Sequence, residues 1–258
     1  MVRVEHVMGT VVSLDLRNPQ VSTEAVGAVF EWFHEVDGRF STYSDESEVS
    51  QVSRGSVSIA DCSQDLHEVL AFCDRVHQES HGAFDAWGVG HGLDPSAVVK
   101  GWSVDRATAI LECAGARNFS LSAGGDVVAR GEPEAGCTWR IGIRHPDAAD
   151  KLAAVIAATN CAVATSGAYE RGAHIIDPRT QRTASGLLSM TVVGPTLALA
   201  DAYSTAAYVM GREGVSWLLE RPGYDGYAIT SDHRAIFTPG FATLLAPTIL
   251  DCVSEPSA

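Results

Sequence analysis

The order in which helical and extended patterns follow each other is the feature that most limits the fold of this chain. Between residues 23 and 80, apolar side chains recur with helical spacing, in "TEAVGAVFEWFHEVDGRF" and in "SQDLHEVLAFCDRVHQESHG". After residue 118 the pattern changes to strands, and two helical segments follow late in the chain. This grouping, rather than strict alternation, predicts an α+β fold with helices packed on one side of a largely antiparallel sheet.

Individual elements follow from the same patterns. Val-rich residues 2–16 predict a strand, and the helix after Ser63 is expected to use Ser63 as its N-cap and to end at Gly82. Residues 84–100 predict a glycine-rich loop that leads into the helix "GWSVDRATAILECAGA". The remaining predicted strands are "FSLSAGGDVVARG", "TWRIGIRHP", "CAVATSG", "AHIIDP" and "LLSMTVVGP", before the helices "ALADAYSTAAYVMG" and "GVSWLLE" and the hairpin-like "GYAITSDHRAIFTPGF".

Composition narrows the classes of protein. No repeat, low-complexity tract or linker divides the 258 residues, so we expect one domain over residues 1–258. The net charge of −14 disfavours binding to nucleic acid or to anionic membranes. No segment approaches the roughly 18 apolar residues of a membrane span, and the N-terminal segment has no signal-peptide pattern. The six cysteines form no CxxC pair, and we expect a cytoplasmic protein without membrane insertion.

Common nucleotide and hydrolase motifs are absent from the sequence. "SAGGDVVARG" is not the GxGxxG of a dinucleotide-binding fold, and "VVKGWS" reverses the order of Lys and Gly in a P-loop. "TSGAYER" is not the GxSxG of a nucleophile elbow, and the nine histidines include no HxH pair.

Asp201 is the most informative single residue. It lies in the apolar helix "LALADAYSTAAYVMG", where no Lys or Arg occurs within two helical turns, and an unpaired buried carboxylate is costly. Thr205 lies four residues later on the same helix face, so the two oxygens suit the hard cation Mg²⁺. The alternative is that Asp201 caps the helix for the preceding loop.

Three further motifs have both a functional and a structural interpretation. Gly124 and Gly125 in "SAGGD" allow the backbone to approach a ligand closely, or they mark a β-bulge. The hydroxyls of "ATSG" either hold a ligand or belong to an ordinary turn. His174 lies next to apolar residues in a predicted strand, where a histidine is either catalytic or structural.

Taken together and in order, these motifs resemble the ApbE family of FAD:protein FMN transferases. The similarity runs from about Val4 to about Ile236. It rests on the segments "MGT", "FSTYSDESEVSQV", "GAFDAW", "AVVKGWSVDRA", "SAGGDVVARG", "WRIGIRHP", "AVATSGAYER", "HIIDPRT" and "TVVGPTLALADAYSTAAYVMG". The resemblance implies a single domain of ApbE-like (T-fold-like) architecture.

The resemblance also implies an activity. Family members bind FAD with Mg²⁺, break its pyrophosphate, attach FMN to a Ser or Thr hydroxyl of an acceptor flavoprotein and release AMP. Some members instead hydrolyse FAD to FMN and AMP. The implied partner here is an acceptor protein with a flavinylation motif resembling Asp-x-x-(Ser/Thr)-(Gly/Ser)-Ala-(Ser/Thr).

Site residues carry over by position in the matching motifs. The implied Mg²⁺ ligands are Asp201, Thr205 and the backbone carbonyl of Ala97, so Asp201 would face a metal ion rather than a basic side chain. His174 of "HIIDP" is the implied catalytic base, with Asp201 the second catalytic residue. The implied cofactor-binding residues are Met8, Ser41, Thr42, Tyr43, Asp85, Lys100, Asp105, Gly124, Gly125, Thr165, Ser166, Gly167 and His174.

The segment between Phe84 and Lys100 departs from the family pattern. It is 17 residues long here, whereas family members have a few tens of residues between the same two motifs. The short segment favours an alternative function, that of an FAD-binding or flavin-carrier protein without transferase activity. A third hypothesis is that the protein is an FAD pyrophosphatase. No sequence feature distinguishes this activity from that of a transferase.

Overall fold

The computed structural model describes residues 1–88, 92–168 and 175–246. The strands are β1 (Val2–Val7), β2 (Thr10–Leu16), β3 (Phe119–Ala123), β4 (Asp126–Arg130), β5 (Trp139–His145), β6 (Ala148–Ala158), β7 (Cys161–Gly167), β8 (Ile176–Asp177), β9 (Arg182–Thr183), β10 (Leu187–Gly194), β11 (Asp225–Thr230) and β12 (Ala235–Phe237). The helices are α1 (Thr23–Phe40), α2 (Glu48–Ser53), α3 (Gln64–Glu79), α4 (Ser96–Cys113), α5 (Leu197–Met210), α6 (Arg212–Leu218) and α7 (Pro239–Ala242), with a 3₁₀ turn at Ile59–Asp61.

Eight strands form one sheet in the order β1-β2-β3-β4-β7-β10-β11-β12. Every neighbouring pair is antiparallel, which confirms the predicted type of sheet. The single strand predicted over residues 2–16 is wrong, because Met8 and Gly9 have φ of 56° and 65° and turn the chain into a hairpin. Two successive residues with positive φ suit the twist of a two-residue hairpin.

The main core lies between this sheet and the long helices. Leu14 and Leu121 point from the sheet into that core, where they join Phe33 of α1, Val69 of α3 and Trp102 of α4. Buried residues of α5 and α6 belong to the same cluster. α4 and α5 pack on the sheet, and α1 and α3 pack mainly on these two helices. The apolar periodicity of α1 and α3 arises because each buries one side in this way.

The opposite face of the sheet is covered by a feature that the sequence did not predict. β5 and β6 form a separate two-stranded sheet, and their Ile143 and Ile156 pack with Val163, Tyr227 and Phe241 of the main sheet and α7. No strand was predicted over β6, whose alanine-rich sequence has a low strand propensity. Pairing with β5 and burial of Ile156 determine its conformation instead.

Helix boundaries decide where several predicted site residues lie. Ser63 caps α3 as predicted, because its side chain accepts the N–H of Leu66 at 3.2 Å. The prediction that residues 84–100 form a loop is wrong at its end, since α4 begins at Ser96. Ala97 and Lys100 therefore lie in the first turns of a helix. No described helix combines the length and the apolar character that a membrane span requires.

Candidate functional site

The site is built where α4 and α5 touch. Gly101 of α4 faces the start of α5, and a Cβ at this position would collide with the carbonyl oxygen of Leu197. The absence of a side chain therefore allows the two helix backbones to approach closely. This contact brings the neighbouring Lys100 to Asp201.

The carboxylate of Asp201 is buried, and one of its two oxygens makes no hydrogen bond. Asp201 is 4% exposed, and the oxygen without a hydrogen-bond partner is Oδ2. The Lys100 ammonium lies 3.5 Å from Oδ1, so the expectation that Asp201 lacks a basic partner is wrong. The partner comes from another helix, 101 residues earlier in the chain. The capping alternative is also wrong, because Thr196 is the N-cap and Asp201 lies inside α5.

Asp126 is the third charged member of this group, and the sequence reasoning missed it. The residue is 1% exposed at the start of β4. Its Oδ2 forms an ion pair with Lys100, and its Oδ1 accepts the backbone N–H of Thr165 at 3.0 Å. The available signal was its place directly after the two glycines of "SAGGD".

The surroundings of Asp201 shift the pKa of its carboxylate, and they do so in both directions. Burial raises the pKa of Asp201 to about 7, and the charge of Asp126 acts in the same direction. The Lys100 ammonium and the backbone N–H of Gly101 act in the opposite direction. When both carboxylates are ionised, they and the single ammonium leave one net negative charge.

Hydroxyl groups connect Asp201 with the end of β7. The Ser166 hydroxyl lies 2.7 Å from that of Ser204 and 3.1 Å from that of Thr205. Ser204 in turn donates to the carbonyl of Asp201 at 2.8 Å. The structure thus brings the "ATSG" motif to the face of α5 that carries Asp201 and Thr205. Thr165 also faces a hydroxyl, that of Thr191, at 2.9 Å.

These oxygens fit a hard cation. A buried carboxylate oxygen without a partner, with a hydroxyl one helical turn away, is the type of ligand that Mg²⁺ takes. Ala97 lies one turn before Gly101, the residue that contacts α5. No cluster of three or more His, Cys, Asp or Glu side chains suited to a metal ion occurs within residues 1–88, 92–168 and 175–246. The protein ligands would therefore be of mixed type.

Two turns of the main sheet lie close to Lys100. Met8, in the β1–β2 turn, has its sulfur 3.8 Å from the hydroxyl of Ser103, and that hydroxyl donates to the Lys100 carbonyl at 2.7 Å. Gly124, in the β3–β4 turn, has a φ of 57°. A Cβ on Gly124 would lie 2.8 Å from Thr10 Oγ1 and 3.8 Å from Lys100 Cδ. Gly125 follows in the same turn with a φ of 90°.

The other predicted residues have local contacts of their own. Ser41 is the C-cap of α1, Thr42 follows it, and Tyr43 is 99% exposed. Asp85 accepts the backbone N–H of Trp87 at 2.8 Å. None of the hydrogen bonds and ion pairs within the described parts of the chain joins these four residues to Asp201. Gly167 ends β7 and pairs with Ser189. His174 lies outside the described residues.

Asp105 has a clear structural task. Its two carboxylate oxygens accept the backbone N–H groups of Leu197 and Ala198 at 2.9 and 2.8 Å. These donors begin α5 and have no partner within the helix. Asp105 thus anchors the helix that carries Asp201. The cofactor-binding role that the family resemblance implies for Asp105 stays a prediction.

A cavity of about 460 Å³ opens beside the C-terminal part of α5. Val209, one helical turn after Thr205, contributes to its wall. The other lining residues are Asp177, Thr180, Arg182, Thr183, Ala184 and Ser185. The sequence reasoning did not identify this cavity, because its walls come from β8, β9 and α5.

Comparison with curated proteins finds relatives with one common description. The chain is 33% identical over 166 residues to a FAD:protein FMN transferase of Escherichia coli K12, which covers 59% of this chain and 47% of that protein. It is 27% identical over 268 residues to a FAD:protein FMN transferase of Haemophilus influenzae, which covers 79% and 78% of the two chains. The alignment with the Escherichia coli protein thus spans about half of that protein.

Solved structures share the fold, and a family model matches the sequence. The flavin transferase ApbE from Vibrio cholerae has a TM-score of 0.84 at 22% identity, over 95% of this chain and 99% of that one. The ApbE protein of Thermotoga maritima has a TM-score of 0.85 at 22% identity, over 96% and 99%. Both confirm the predicted α+β fold. The model of the ApbE family matches residues 8–90 and 88–228. With most of its length matched, and with the family's motifs meeting at α4 and α5, the chain belongs to the ApbE family.

Proposed function

We propose that this protein transfers FMN from FAD to a Ser or Thr hydroxyl of an acceptor protein, with Mg²⁺ bound and AMP released. The observation that carries the proposal is the unpartnered, buried Oδ2 of Asp201 beside the Lys100 ammonium. A site with one anionic ligand and one nearby cation suits a metal-bound pyrophosphate. The curated relatives described as FAD:protein FMN transferase support the same reaction.

The metal would be held by Asp201, Thr205 and the carbonyl of Ala97. When bound, Mg²⁺ neutralises the charge that develops on phosphate oxygens. Lys100 adds a second positive charge 3.5 Å from Asp201. The Ser166 hydroxyl, beside Thr205, would donate a hydrogen bond to a phosphate oxygen, and the Thr165 hydroxyl would do so at the same end of β7.

The proposed transfer replaces the pyrophosphate (phosphoanhydride) linkage of FAD with a phosphate ester to the acceptor. The acceptor hydroxyl oxygen attacks the phosphorus of the FMN half and forms a new O–P bond. The P–O bond to AMP breaks, and AMP leaves with the bonding electron pair. The hydroxyl proton passes to a base, for which an imidazole has a suitable pKa. We assign this role to His174 on the resemblance of "HIIDP" alone.

The remaining predicted residues are assigned to binding. Met8, Gly124 and Gly125 lie in the two turns next to Lys100, where small or flexible groups leave room for a ligand. The exposed ring of Tyr43 is available to stack on an aromatic ligand. Ser41, Thr42, Asp85 and Gly167 belong to the flavin-binding segments by resemblance. The cavity beside Val209, one helical turn after Thr205, would give space for part of FAD or of the acceptor.

Incubation with FAD and Mg²⁺, with and without an acceptor peptide that carries the flavinylation motif, tests the proposal. Mass spectrometry of AMP and of the peptide reports both products. We expect AMP together with a peptide heavier by one FMN minus water. Asp201→Asn should abolish both, whereas Asp65→Asn, which removes an ion pair with Arg39, should retain both. Full turnover in EDTA would contradict the metal assignment.

The 17-residue segment between Phe84 and Lys100 supports a second candidate function, FAD binding without transfer. In that case FAD binds, but neither AMP nor a modified peptide forms. FMN and AMP without a modified peptide would instead identify a pyrophosphatase. The same experiment therefore distinguishes all three functions.

A further inference from the structure

Asp126 connects the sheet to the charged group on the helices. One of its oxygens accepts the backbone N–H of Thr165 in β7, and the other pairs with the Lys100 ammonium of α4. Both contacts are made by a side chain that is 2% exposed. Its position is therefore determined by contacts with two elements, β7 and α4.

The position of Asp126 matters because Lys100 has two carboxylates within reach. The ammonium pairs with Asp126, and Asp201 Oδ1 is 3.5 Å away. Charge–charge interactions are strong at buried sites. If the charge of Asp126 were removed, Asp201 would be the carboxylate left beside this ammonium. The Lys100–Asp201 pair would then be electrically neutral, with no net charge left to attract a cation.

We propose that Asp126 is a positioning residue, which holds Lys100 so that the Asp201 carboxylate remains available to bind a divalent cation. It does so by balancing the Lys100 charge, and the group of three retains one net negative charge. This inference rests on the proposed metal site at Asp201. It assigns to Asp126 an effect on metal affinity that is exerted through its negative charge, which balances the charge of Lys100.

Three variants separate this role from a purely structural one. Asp126→Asn keeps the shape and an oxygen acceptor but makes the group neutral. Lys100→Met leaves two negative charges. The double variant Asp126→Asn/Lys100→Met returns to one negative charge without either partner.

Binding of Mn²⁺ to each purified full-length variant, measured from the free-ion signal in electron paramagnetic resonance, gives the readout. We expect Asp126→Asn to weaken Mn²⁺ binding about tenfold or more, because a unit charge within a few ångströms is lost. The double variant should bind within about threefold of the wild type, and Lys100→Met should bind more tightly than the wild type. Asp65→Asn, which also removes an ion pair, should leave the affinity unchanged.

A purely structural role of Asp126 predicts a different order of Mn²⁺ affinities among the variants. If Asp126 only anchored β4 to β7, the double variant would bind as weakly as Asp126→Asn, and this result would overturn the inference. Wild-type affinity in Asp126→Asn would do the same. If Asp126→Asn does not fold, the order of Lys100→Met, wild type and double variant still decides. Absence of Mn²⁺ binding by the wild type would overturn the proposed metal site itself, and the inference with it.

Discussion

At the scale of single residues, the proposed chemistry depends on the buried carboxylate of Asp201. Its protonation state is influenced by two neighbouring charged side chains. Asp201 lies between a lysine and a second aspartate, and its Oδ2 has no partner. Burial raises its pKa to about 7. A carboxylate with a raised pKa binds a proton more strongly in the folded than in the unfolded state, so its ionisation opposes folding.

The stability of the metal-free protein should therefore depend on pH. The unfolded pKa of Asp is about 3.9, so the destabilisation by Asp201 develops as pH rises above 4 and is complete above pH 7. Asp201→Asn lacks this titration, and its melting temperature in EDTA should exceed that of the wild type by more at pH 8 than at pH 5. Thermal unfolding of both proteins across this range tests the sign. A constant difference would show that Asp201 does not titrate there.

Metal binding should show the opposite dependence on pH. Protons compete with the cation for Asp201, so Mn²⁺ affinity should fall by up to about tenfold per unit as pH decreases below 7. Titrations at pH 8, 7 and 6 measure this change. An affinity that is the same at all three values would exclude Asp201 as a ligand that must lose a proton.

At the scale of elements, the site depends on how closely α4 and α5 pack. Gly101→Ala introduces a methyl group against the Leu197 carbonyl, which should destabilise the fold by about 1–3 kcal/mol and move Lys100 relative to Asp201. Gly27→Ala in α1 is the matched control, because its Cβ would meet no atom within 4 Å. That control should be neutral or stabilising by up to about 1 kcal/mol. Urea unfolding compares the two, and equal effects would contradict the packing argument.

The start of α5 provides a second prediction at this scale. Asp105→Ala removes the acceptor for Leu197 and Ala198, which should cost about 1–2 kcal/mol. Ser63→Ala removes the cap of α3 and should cost a similar amount. Only Asp105→Ala should also slow AMP release from FAD, since Asp201 lies on α5. Equal activity in the two variants would mean that the cap of α5 has no effect on the site.

At the scale of the whole molecule, binding of the proposed substrate FAD should stabilise the folded state. A ligand that binds only the folded state raises its stability, by about 2.7 kcal/mol at one hundred times its Kd. FAD should therefore raise the melting temperature, and more so with Mg²⁺ than with EDTA, because the two ligands would bind next to each other. NAD should have a smaller effect. Equal protection by NAD would contradict the FAD assignment.

The sequence by itself determined the α+β class, the antiparallel sheet, the helices α1, α3 and α5, and the shared helix face of Asp201 and Thr205. These features depend on local periodicity and capping, which residues a few positions apart encode. The motif order was sufficient for the family, and the match to the ApbE family model confirms it. The roles assigned to the individual site residues remain predictions.

Only the tertiary structure decided which residue faces Asp201. Lys100 and Asp126 are distant from it in the chain, and the strength of their interaction depends on a helix contact that Gly101 permits. Contacts between residues distant in the chain leave no local sequence pattern. The sequence could therefore indicate that Asp201 is a buried charge, but not which residues interact with it. The same reason explains why β6 was missed, since its alanines form a strand only because β5 lies beside them.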